Sequence, residues 1–534
     1  MNQVEVKRRQ IELFSYMIGI VTIWLLGRQI GDGGVAYLAV ALECFSFLWI
    51  LLGNNIVGAL GRLLRSKNAK GQYKNTAQIK RNILIFQSIL GAVGSLVFFF
   101  CARPLAEVVF RIPRCTLIFQ LMAPVIFLRC ISAVLLGYFR GAGTQLAEVV
   151  SCILRQVFVL GFGLLFCGLR KGYGIKVSKL LLQEQLTAVY SGSGVAIALS
   201  LSELLIILFL LVLYQGSRKS RQRQTVEGSK VMDSFGRTIY SLYSHMGMEM
   251  VIQLLCVFPL LAGVLFYQRS VTDTIQSTEV YGSFFGKYLL LSIMAALPLG
   301  ALILPIAAKT AGCVRKEEQR FAKGIFQTGV HIGVVNALLP VAFVACLSEQ
   351  FAGLFGGTLA AQVARMLRSG SFLILFMVLS FYFSNLLILL GRRYVVVGAL
   401  GLYNVLFIVL VTLFLYTGKM DIMALIYGGL IACLVYSLVT GFFVSRQLRC
   451  GLQMLMVLGV PVAAACLVGL LGFLLGRALT PHLGNGVTII LCVILGTALY
   501  WIILLLLRNF KEQELSTIPG GRLIRIVGEM LRIF

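Results

Sequence analysis

Residues 27–37 read Gly27-Arg-Gln-Ile-Gly-Asp-Gly-Gly-Val-Ala-Tyr37 and separate two long apolar runs, at 11–27 and 34–56. About 20 mostly apolar residues are enough for a helix to cross a bilayer, so each run is a candidate membrane span. This pattern of apolar run, short break and apolar run recurs along the whole chain.

Fourteen such runs can be counted, and hydrophobic residues make up 59% of the chain while charged residues make up only 13%. A soluble domain carries roughly 25% charged residues, so a water-soluble fold is excluded. We predict an all-α integral membrane protein with about 14 transmembrane helices. The runs lie near 11–27, 34–56, 82–101, 116–137, 149–168, 194–214, 240–266, 281–306, 325–346, 371–390, 394–416, 423–445, 453–475 and 486–507.

The chain is strongly basic, with 47 lysines and arginines against 20 acidic residues and a net charge of +27. If the N-terminus is cytoplasmic, 31 of these cations fall in cytoplasmic segments, 13 fall outside and three lie within spans. Lysine and arginine collect in cytoplasmic loops of membrane proteins. Most of the charge therefore indicates topology, with both termini in the cytoplasm, and it does not indicate nucleic-acid binding.

The sequence gives little sign of catalytic or metal chemistry. Its 13 cysteines are scattered singly without a CxxC pair, and its three histidines lie far apart, so neither a metal site nor a cofactor is expected. The longest loops hold about 25 residues and contain no DxD-type pair, Walker motif, GxSxG or HExxH. We predict no catalytic residues and no enzyme. A loop-poor membrane transferase, the enzymatic alternative, would have these acidic residues available: Asp273, Glu279, Glu349 and Asp421.

The two halves of the chain carry similar features in the same order. The basic loop 62–81 and the turn Gly137-Tyr-Phe-Arg-Gly141 have counterparts in the basic loop 309–323 and the turn Leu390-Gly-Arg-Arg393. This predicts two pseudo-symmetric six-helix lobes plus a C-terminal helix pair, an arrangement that transporters often use. The predicted parts are an N-terminal lobe at 1–214, a basic cytoplasmic linker at 215–238, a C-terminal lobe at 239–450, helices 13 and 14 at 451–510, and an amphipathic cytoplasmic tail at 511–534.

Several of these motifs resemble those of one transporter superfamily. Residues 27–37 resemble the end of helix 1 in polysaccharide exporters, and Gly137-Tyr-Phe-Arg-Gly141 is similar to the GYFQG that follows their helix 4. Ser202-Glu203-Leu204 resembles their helix-6 GEL, and Tyr281-Gly282 resembles the start of their helix-8 pattern. In order and spacing, the motifs resemble the multidrug/oligosaccharidyl-lipid/polysaccharide (MOP) exporter superfamily over roughly residues 12–450, on the branch of sporulation-type and lipid II flippases.

The resemblance implies a fold and a function. The fold would be two six-helix lobes around a central cavity, like that of multidrug and toxic-compound extrusion (MATE) transporters. The function would be a flippase of a bacterial plasma membrane that moves an undecaprenyl-pyrophosphate-linked oligosaccharide or a peptidoglycan precursor by alternating access. Its partners would be the lipid-linked glycan, membrane lipids and proteins of envelope synthesis. A MATE-type cation or drug antiporter and a non-transporting scaffold for envelope synthesis are the alternatives.

Two positions depart from the pattern of lipid II flippases. Thr22 stands where those proteins commonly carry a second helix-1 arginine, and Gly53-Asn-Asn-Ile stands where they carry basic residues at the end of helix 2. The resemblance therefore implies a lipid-linked glycan more strongly than it implies lipid II itself.

Charged residues within spans are the candidate site residues, because each costs at least about 2.5–3.5 kcal/mol at the membrane centre unless it faces a cavity or a partner. A sugar pyrophosphate would need cations, which arginine supplies bidentately and lysine as a point charge. The predicted substrate-binding residues are Arg28, Arg129, Arg155 and Lys287. The candidates for ion coupling or for ion pairs are Glu43, Glu203 and Glu249. In the alternative to substrate binding, Arg129 and Arg155 form structural ion pairs with Glu43 or Glu203.

Overall fold

The computed structural model describes residues 3–144, 146–216, 232–271, 274–418, 420–451, 455–507 and 509. Within these residues the secondary structure is helical, with no β-strand, as the apolar runs predict. Most of the predicted linker 215–238 and all of the predicted tail 511–534 lie outside the described residues, and they stay predictions.

Sixteen α-helices form the described chain. They are α1 (Gln3–Leu52), α2 (Ile56–Ala69), α3 (Tyr73–Pro104), α4 (Thr116–Gly141), α5 (Leu146–Leu181), α6 (Leu186–Gly216), α7 (Phe235–Ser270), α8 (Thr274–Ser283), α9 (Leu290–Arg315), α10 (Gln319–Cys346), α11 (Ser348–Phe355), α12 (Ala360–Gly370), α13 (Leu373–Leu389), α14 (Arg393–Tyr416), α15 (Met423–Leu448) and α16 (Val460–Leu506). Short π-helical turns occur at Leu105–Val109, Phe284–Leu289 and Leu455–Gly459, and a 3₁₀ turn occurs at Pro113–Cys115.

The chain divides into two compact units. The N-terminal unit is Ile18–Gly282, and the C-terminal unit is formed by Met1–Met17 together with Ser283–Phe534. The N-terminal unit thus includes α7 and all but the last residue of α8, together with the second half of the first predicted span and the next five predicted spans. Both units are bundles of apolar helices, and each is described here by itself.

Two of the long helices are helical hairpins, each bent at a single glycine. Gly31 in α1 has φ 72° and ψ 171°, and Gly484 in α16 has φ 73° and ψ 167°, a region of backbone space that is open essentially to glycine alone. A Cβ placed on Gly27 would lie 3.3 Å from Cγ2 of Val35, although eight residues of straight helix span about 12 Å. The chain therefore reverses direction at Gly31.

The hairpins explain the number of membrane crossings. In the described chain, eleven helices are long and apolar enough to span a membrane, or twelve if the bent pair α12 and α13 counts as one span. Two of these segments, Gln10–Ala69 and Val457–Leu506, hold 60 and 50 residues, and each contains one hairpin. Counting each of them as two crossings accommodates the fourteen apolar runs.

The same set of helix contacts occurs in both units, which supports the internal repeat. In the N-terminal unit α4 packs against α2, α3 and α6, and α5 packs against α6. In the C-terminal unit α13 packs against α9, α10 and α15, and α14 packs against α15. In each unit one helix is therefore the common neighbour of three others, and that helix is the fourth crossing of its half.

The glycines of the Gly137–Gly141 motif allow α2 to lie close against α4. A Cβ on Gly141 would lie 2.5 Å from Cβ of Leu64, and one on Gly137 would lie 3.0 Å from Cδ2 of Leu60. Leu60 and Leu64 belong to a fully buried cluster that also contains Met246 of α7. The motif is therefore a packing surface that holds α2, α4 and α7 together.

Replacing the hairpin glycines should destabilise the protein although open space surrounds both of them. We expect Gly31→Ala and Gly484→Ala each to lower the free energy of unfolding by about 1–3 kcal/mol, because alanine is strained in this conformation. Thermal unfolding in detergent would measure the loss. Gly161→Ala is the matched control, since Gly161 is helical with open space around it and alanine favours helix. A Gly31→Ala protein as stable as the wild type would contradict the assignment.

Candidate functional site

Three of the predicted charged residues meet inside the N-terminal unit. Nε of Arg129 on α4 and Nε of Arg155 on α5 each lie 2.7 Å from Oε1 of Glu203 on α6. Arg155 also donates from Nη2 to Oε2 of Glu203 at 3.3 Å, and Ser132 donates to the same oxygen at 3.4 Å. We call Arg129, Arg155 and Glu203 the charged triad.

The triad lies in the packed interior of the unit, and its cations are more accessible than its anion. The side chain of Glu203 is 1% exposed, whereas those of Arg155 and Arg129 are 17% and 24% exposed. Arg129 lies about halfway along α4, whose neighbouring residues are almost all apolar. The buried carboxylate of Glu203 costs free energy in such apolar surroundings unless it is ion-paired and hydrogen-bonded. The two arginines provide both kinds of partner.

Arg129 also contacts two aromatic rings of α1. Its Cζ atom lies 5.1 Å from the ring centroid of Phe45 and 5.9 Å from that of Trp49, which is within the range of cation–π attraction. Phe45 and Trp49 are four residues apart and therefore share one face of the helix. The triad thus joins α4, α5 and α6 to one another and faces α1.

The formal charge of the triad is positive. Two guanidinium groups share one carboxylate, and arginine remains protonated in proteins. The three side chains of the triad therefore carry one net positive charge, in a region where charge is costly. Such an arrangement suits an anionic ligand and disfavours a cation.

Glu43 lies elsewhere in the N-terminal unit and forms no hydrogen bond or ion pair with an arginine of the described ranges. Its side chain is buried, and Oε1 accepts a hydrogen bond of 2.8 Å from the hydroxyl group of Tyr281 on α8. Tyr267 of α7 stacks on Tyr281 with ring centroids 6.4 Å apart. The other carboxyl oxygen of Glu43 accepts no hydrogen bond from the residues described. Of the two carboxylates predicted as partners for Arg129 and Arg155, the structure pairs them with Glu203.

Glu249 lies in a row of polar contacts between α7 and α2. Its Oε1 is 3.3 Å from Nη1 of Arg62, and Nη2 of Arg62 donates to the carbonyl group of His245 at 3.0 Å. One helical turn beyond Glu249, the amide group of Asn55 donates to Gln253 at 2.9 Å. Glu249 is therefore an ion-pair residue at a partly exposed helix contact.

Asp233 ends this row just before α7 begins. Nζ of Lys67 lies 2.6 Å from Oδ2 of Asp233, and the amide group of Asn75 donates to the same oxygen at 3.0 Å. The hydrogen bond from Lys67, together with that from Asn75, lowers the pKa of Asp233 from its ordinary value. The N-terminal half of α7 is thus attached to α2 and α3 by charged contacts at one end and by amide contacts further along.

The remaining predicted cations are separate from the triad. Arg28 is exposed near the end of the first arm of the α1 hairpin and forms no hydrogen bond or ion pair with the described residues. Lys287 belongs to the C-terminal unit, where it is half-buried in the π-helical turn Phe284–Leu289. Its Nζ donates to the carbonyl group of Gly356 at 2.9 Å. π-helical turns inside α-helices occur frequently at functional sites.

Sequence reasoning missed several partners that the structure supplies. The hydroxyl group that donates to Glu43 belongs to Tyr281, which the sequence singles out only as part of a family motif. The partner of Glu249 is Arg62, which lies in the basic loop 62–81 that indicates cytoplasmic orientation. Ser132 had a usable signal, because it follows Arg129 by three residues and so shares its helix face. The sequence also contained a signal for the contact of Asp233, because Asp233 is an acidic residue within the basic segment 218–237 and a second basic segment, 62–81, offers cations to pair with it.

Loss of the shared carboxylate should destabilise the protein more than loss of one arginine. Glu203→Gln leaves two cations without their carboxylate, and we expect a cost of about 3–5 kcal/mol. Arg129→Gln leaves a one-to-one pair of Arg155 and Glu203, so its cost should be clearly smaller. Thermal unfolding of both variants in detergent would measure the difference. Equal losses would mean that the two arginines do not share Glu203.

Asp233 should make the stability of the protein depend on pH in the acid range. Because its pKa is lowered in the folded state, the stabilisation is present above the unfolded pKa of about 3.9 and is lost as pH falls through the lower folded value. We expect Asp233→Asn to cost about 1 kcal/mol at neutral pH. The difference between variant and wild type should shrink below about pH 4. A difference that stays constant with pH would rule out this ion pair as its source.

Comparison with known sequences finds a family and one curated relative. Residues 10–226 match the family described as polysaccharide biosynthesis protein. Stage V sporulation protein B of Bacillus subtilis (strain 168) is 24% identical over 212 residues, which are 40% of this chain and 38% of that protein. The chain therefore matches well under half of the length of this curated relative.

Comparison with solved structures extends the likeness over most of the chain. A multidrug resistance MATE family transporter of the MOP superfamily, in its inward-facing conformation, covers 84% of this chain and 98% of its own, with a TM-score of 0.64 and 12% identity. An outward-facing conformation of such a transporter covers 83% and 95%, with a TM-score of 0.60 and 14% identity. At these identities the structural likeness establishes the fold. The sequence match is confined to residues 10–226, and over most of its length the chain shares the fold of MATE family transporters of the MOP superfamily.

Proposed function

We propose that the protein is a flippase that carries an undecaprenyl-pyrophosphate-linked oligosaccharide, or a peptidoglycan precursor, across a bacterial plasma membrane by alternating access. The match of residues 10–226 to a polysaccharide biosynthesis family supports a glycan cargo. The relative named stage V sporulation protein B supports a role connected with sporulation. The fold shared with inward-facing and outward-facing transporters supports alternating access.

The charged triad is the observation that carries the proposal. A pyrophosphate headgroup needs cations that replace its water of hydration, and arginine provides charge and directed donors together. The triad places two arginines and one carboxylate within the apolar part of the N-terminal unit, so that its three side chains carry one net positive charge. Lys287 places a further cation in a span of the C-terminal unit.

The alternative of a cation or drug antiporter is less well supported. Such a transporter needs a carboxylate that is free to receive its cation. Both oxygens of Glu203 accept hydrogen bonds from arginine, and Glu249 pairs with Arg62. Glu43 does have an oxygen that accepts no hydrogen bond from the described residues, but its side chain is buried, with its other oxygen bound to Tyr281. A non-transporting scaffold has no use for cations in its spans that are partly accessible. The polarity of the N-terminal unit therefore favours an anionic cargo.

The direction and driving force follow from charge. The distribution of lysine and arginine supports cytoplasmic termini, so that the lipid-linked glycan is received from envelope-synthesis enzymes at the inner leaflet. Since the sequence contains no Walker motif, the energy would come from the membrane potential or an ion gradient. An inside-negative potential favours outward movement of an anionic headgroup by about 2.3 kcal/mol per charge per 100 mV.

Leaflet-resolved flipping of lipid-linked sugars in proteoliposomes tests the proposal. We expect the wild type to flip, and Arg28→Ala and Lys287→Ala each to slow flipping about tenfold or more, because each removes a cation that would contact phosphate (about 1.5–3 kcal/mol for a charged hydrogen bond). Arg103→Gln is the matched control, since Arg103 is 76% exposed and pairs with Glu107 four residues away.

The outcomes separate the function from its residues. Wild-type protein that flips no lipid-linked glycan would overturn the flippase proposal and favour the alternatives. Flipping at the full wild-type rate by both alanine variants would keep the flippase and remove Arg28 and Lys287 from its binding site.

A further inference from the structure

Arg129 has hydrogen-bond donors that the described protein does not use. A guanidinium group has five N–H donors, and with the described residues Arg129 forms one hydrogen bond, from Nε to Oε1 of Glu203 at 2.7 Å. Its two Nη atoms form no hydrogen bond with the described residues, and they are not among the buried polar atoms that lack a partner. They therefore face accessible space.

We propose that the terminal nitrogens of Arg129 form a binding site for a phosphate oxygen, located inside the N-terminal unit between α4 and the Phe45–Trp49 face of α1. The ligand class is a phosphorylated or pyrophosphorylated headgroup. That this headgroup is carried on a lipid rests on the proposed function, whereas the anion site rests on the geometry of the triad alone.

Glu203 holds Arg129 in a fixed orientation and leaves the outer edge of its guanidinium free. Because the carboxylate binds at Nε, both Nη groups remain available for two parallel hydrogen bonds to phosphate, the geometry that makes arginine a strong phosphate ligand. Phe45 and Trp49 lie against the cation and restrict its movement further. A preorganised guanidinium loses less conformational entropy when it binds a ligand.

Arg155 keeps Glu203 ion-paired when a phosphate binds to Arg129. Its Nε lies 2.7 Å from Oε1 of Glu203, and its Nη2 donates to Oε2 at 3.3 Å. When a phosphate binds Arg129 and weakens the attraction between Arg129 and Glu203, the guanidinium group of Arg155 still pairs with Glu203. The formal charge of the triad with one phosphate negative charge is zero, which is the least costly value for a group of charges within a membrane span.

The carboxylate of Glu43 does not oppose the ligand from the same helix face. Glu43 precedes Phe45 by two residues, which turns the two side chains about 200° apart around the helix axis. Its carboxylate meets Tyr281, whereas Phe45 meets Arg129. Among the described residues, Glu203 is the carboxylate that pairs with Arg129.

Trp49 provides a spectroscopic probe, because its ring centroid lies 5.9 Å from Cζ of Arg129. The chain has three tryptophans, so Trp24→Phe with Trp501→Phe leaves Trp49 as the single emitter. In detergent, this protein would be titrated with inorganic pyrophosphate, with a polyprenyl pyrophosphate and with the corresponding polyprenol. We expect a saturable change of Trp49 fluorescence with both pyrophosphates and none with polyprenol.

The variants should move the affinity in opposite directions. Arg129→Gln should weaken pyrophosphate binding about tenfold or more, the equivalent of one charged hydrogen bond, and Arg129→Lys should weaken it less. Glu203→Gln should tighten binding several-fold, because the amide oxygen of glutamine can still accept the hydrogen bond that orients Arg129 but no longer competes for it as an anion, and pyrophosphate should raise the unfolding temperature of this variant. Arg103→Gln, in the same single-tryptophan background, should bind as its parent does.

Three results would overturn the proposal. They are a lack of saturable response in the parent protein, an unchanged affinity in Arg129→Gln, or a weaker affinity in a folded Glu203→Gln protein. Tight binding of polyprenyl pyrophosphate with none of inorganic pyrophosphate would assign the site to the lipid-borne headgroup. Because binding in detergent needs no transport, a protein that binds pyrophosphate but flips no lipid would keep the anion site and reject the flippase.

Discussion

The carboxylate of Glu203, buried among apolar helices, is the constraint on which the N-terminal unit depends. A charge at that position requires partners, and the partners must come from neighbouring helices because the carboxylate is almost completely enclosed. Arg129 and Arg155 satisfy it from α4 and α5, so that one side chain fixes the rotation of three helices at once. The same requirement brings two cations into a region that apolar packing alone would leave neutral.

Close packing around the fourth crossing organises the rest of each unit. In the N-terminal unit α4 contacts α2, α3 and α6 and also carries Arg129, and the absence of side chains at Gly137 and Gly141 brings α2 close to it. In the C-terminal unit α13 has the corresponding neighbours. The two halves therefore share a packing pattern but differ in charge, since the triad belongs to α4, α5 and α6 and Lys287 belongs to a π-helical turn.

The sequence was a good guide to the crossings and a poorer guide to the contacts between them. Apolar length alone predicts the helices, because the bilayer sets their size. Sequence could place Glu43 and Glu203 inside spans and offer both as partners for Arg129 and Arg155. It could not choose between them, because the choice depends on how each helix is rotated about its axis. For the same reason Tyr281 and Arg62 emerged as partners of Glu43 and Glu249 only from the structure.

The glycine turns at Gly31 and Gly484 have a consequence for biosynthesis. A Cβ on Gly496 would lie 3.1 Å from Cγ1 of Val468, so the two arms of α16 pack along each other as those of α1 do. Because essentially one residue separates the two arms, no loop is long enough to let the first arm cross the bilayer before the second arm follows. Each pair of arms should therefore leave the insertion machinery together, as one unit whose polar turn crosses the hydrocarbon once.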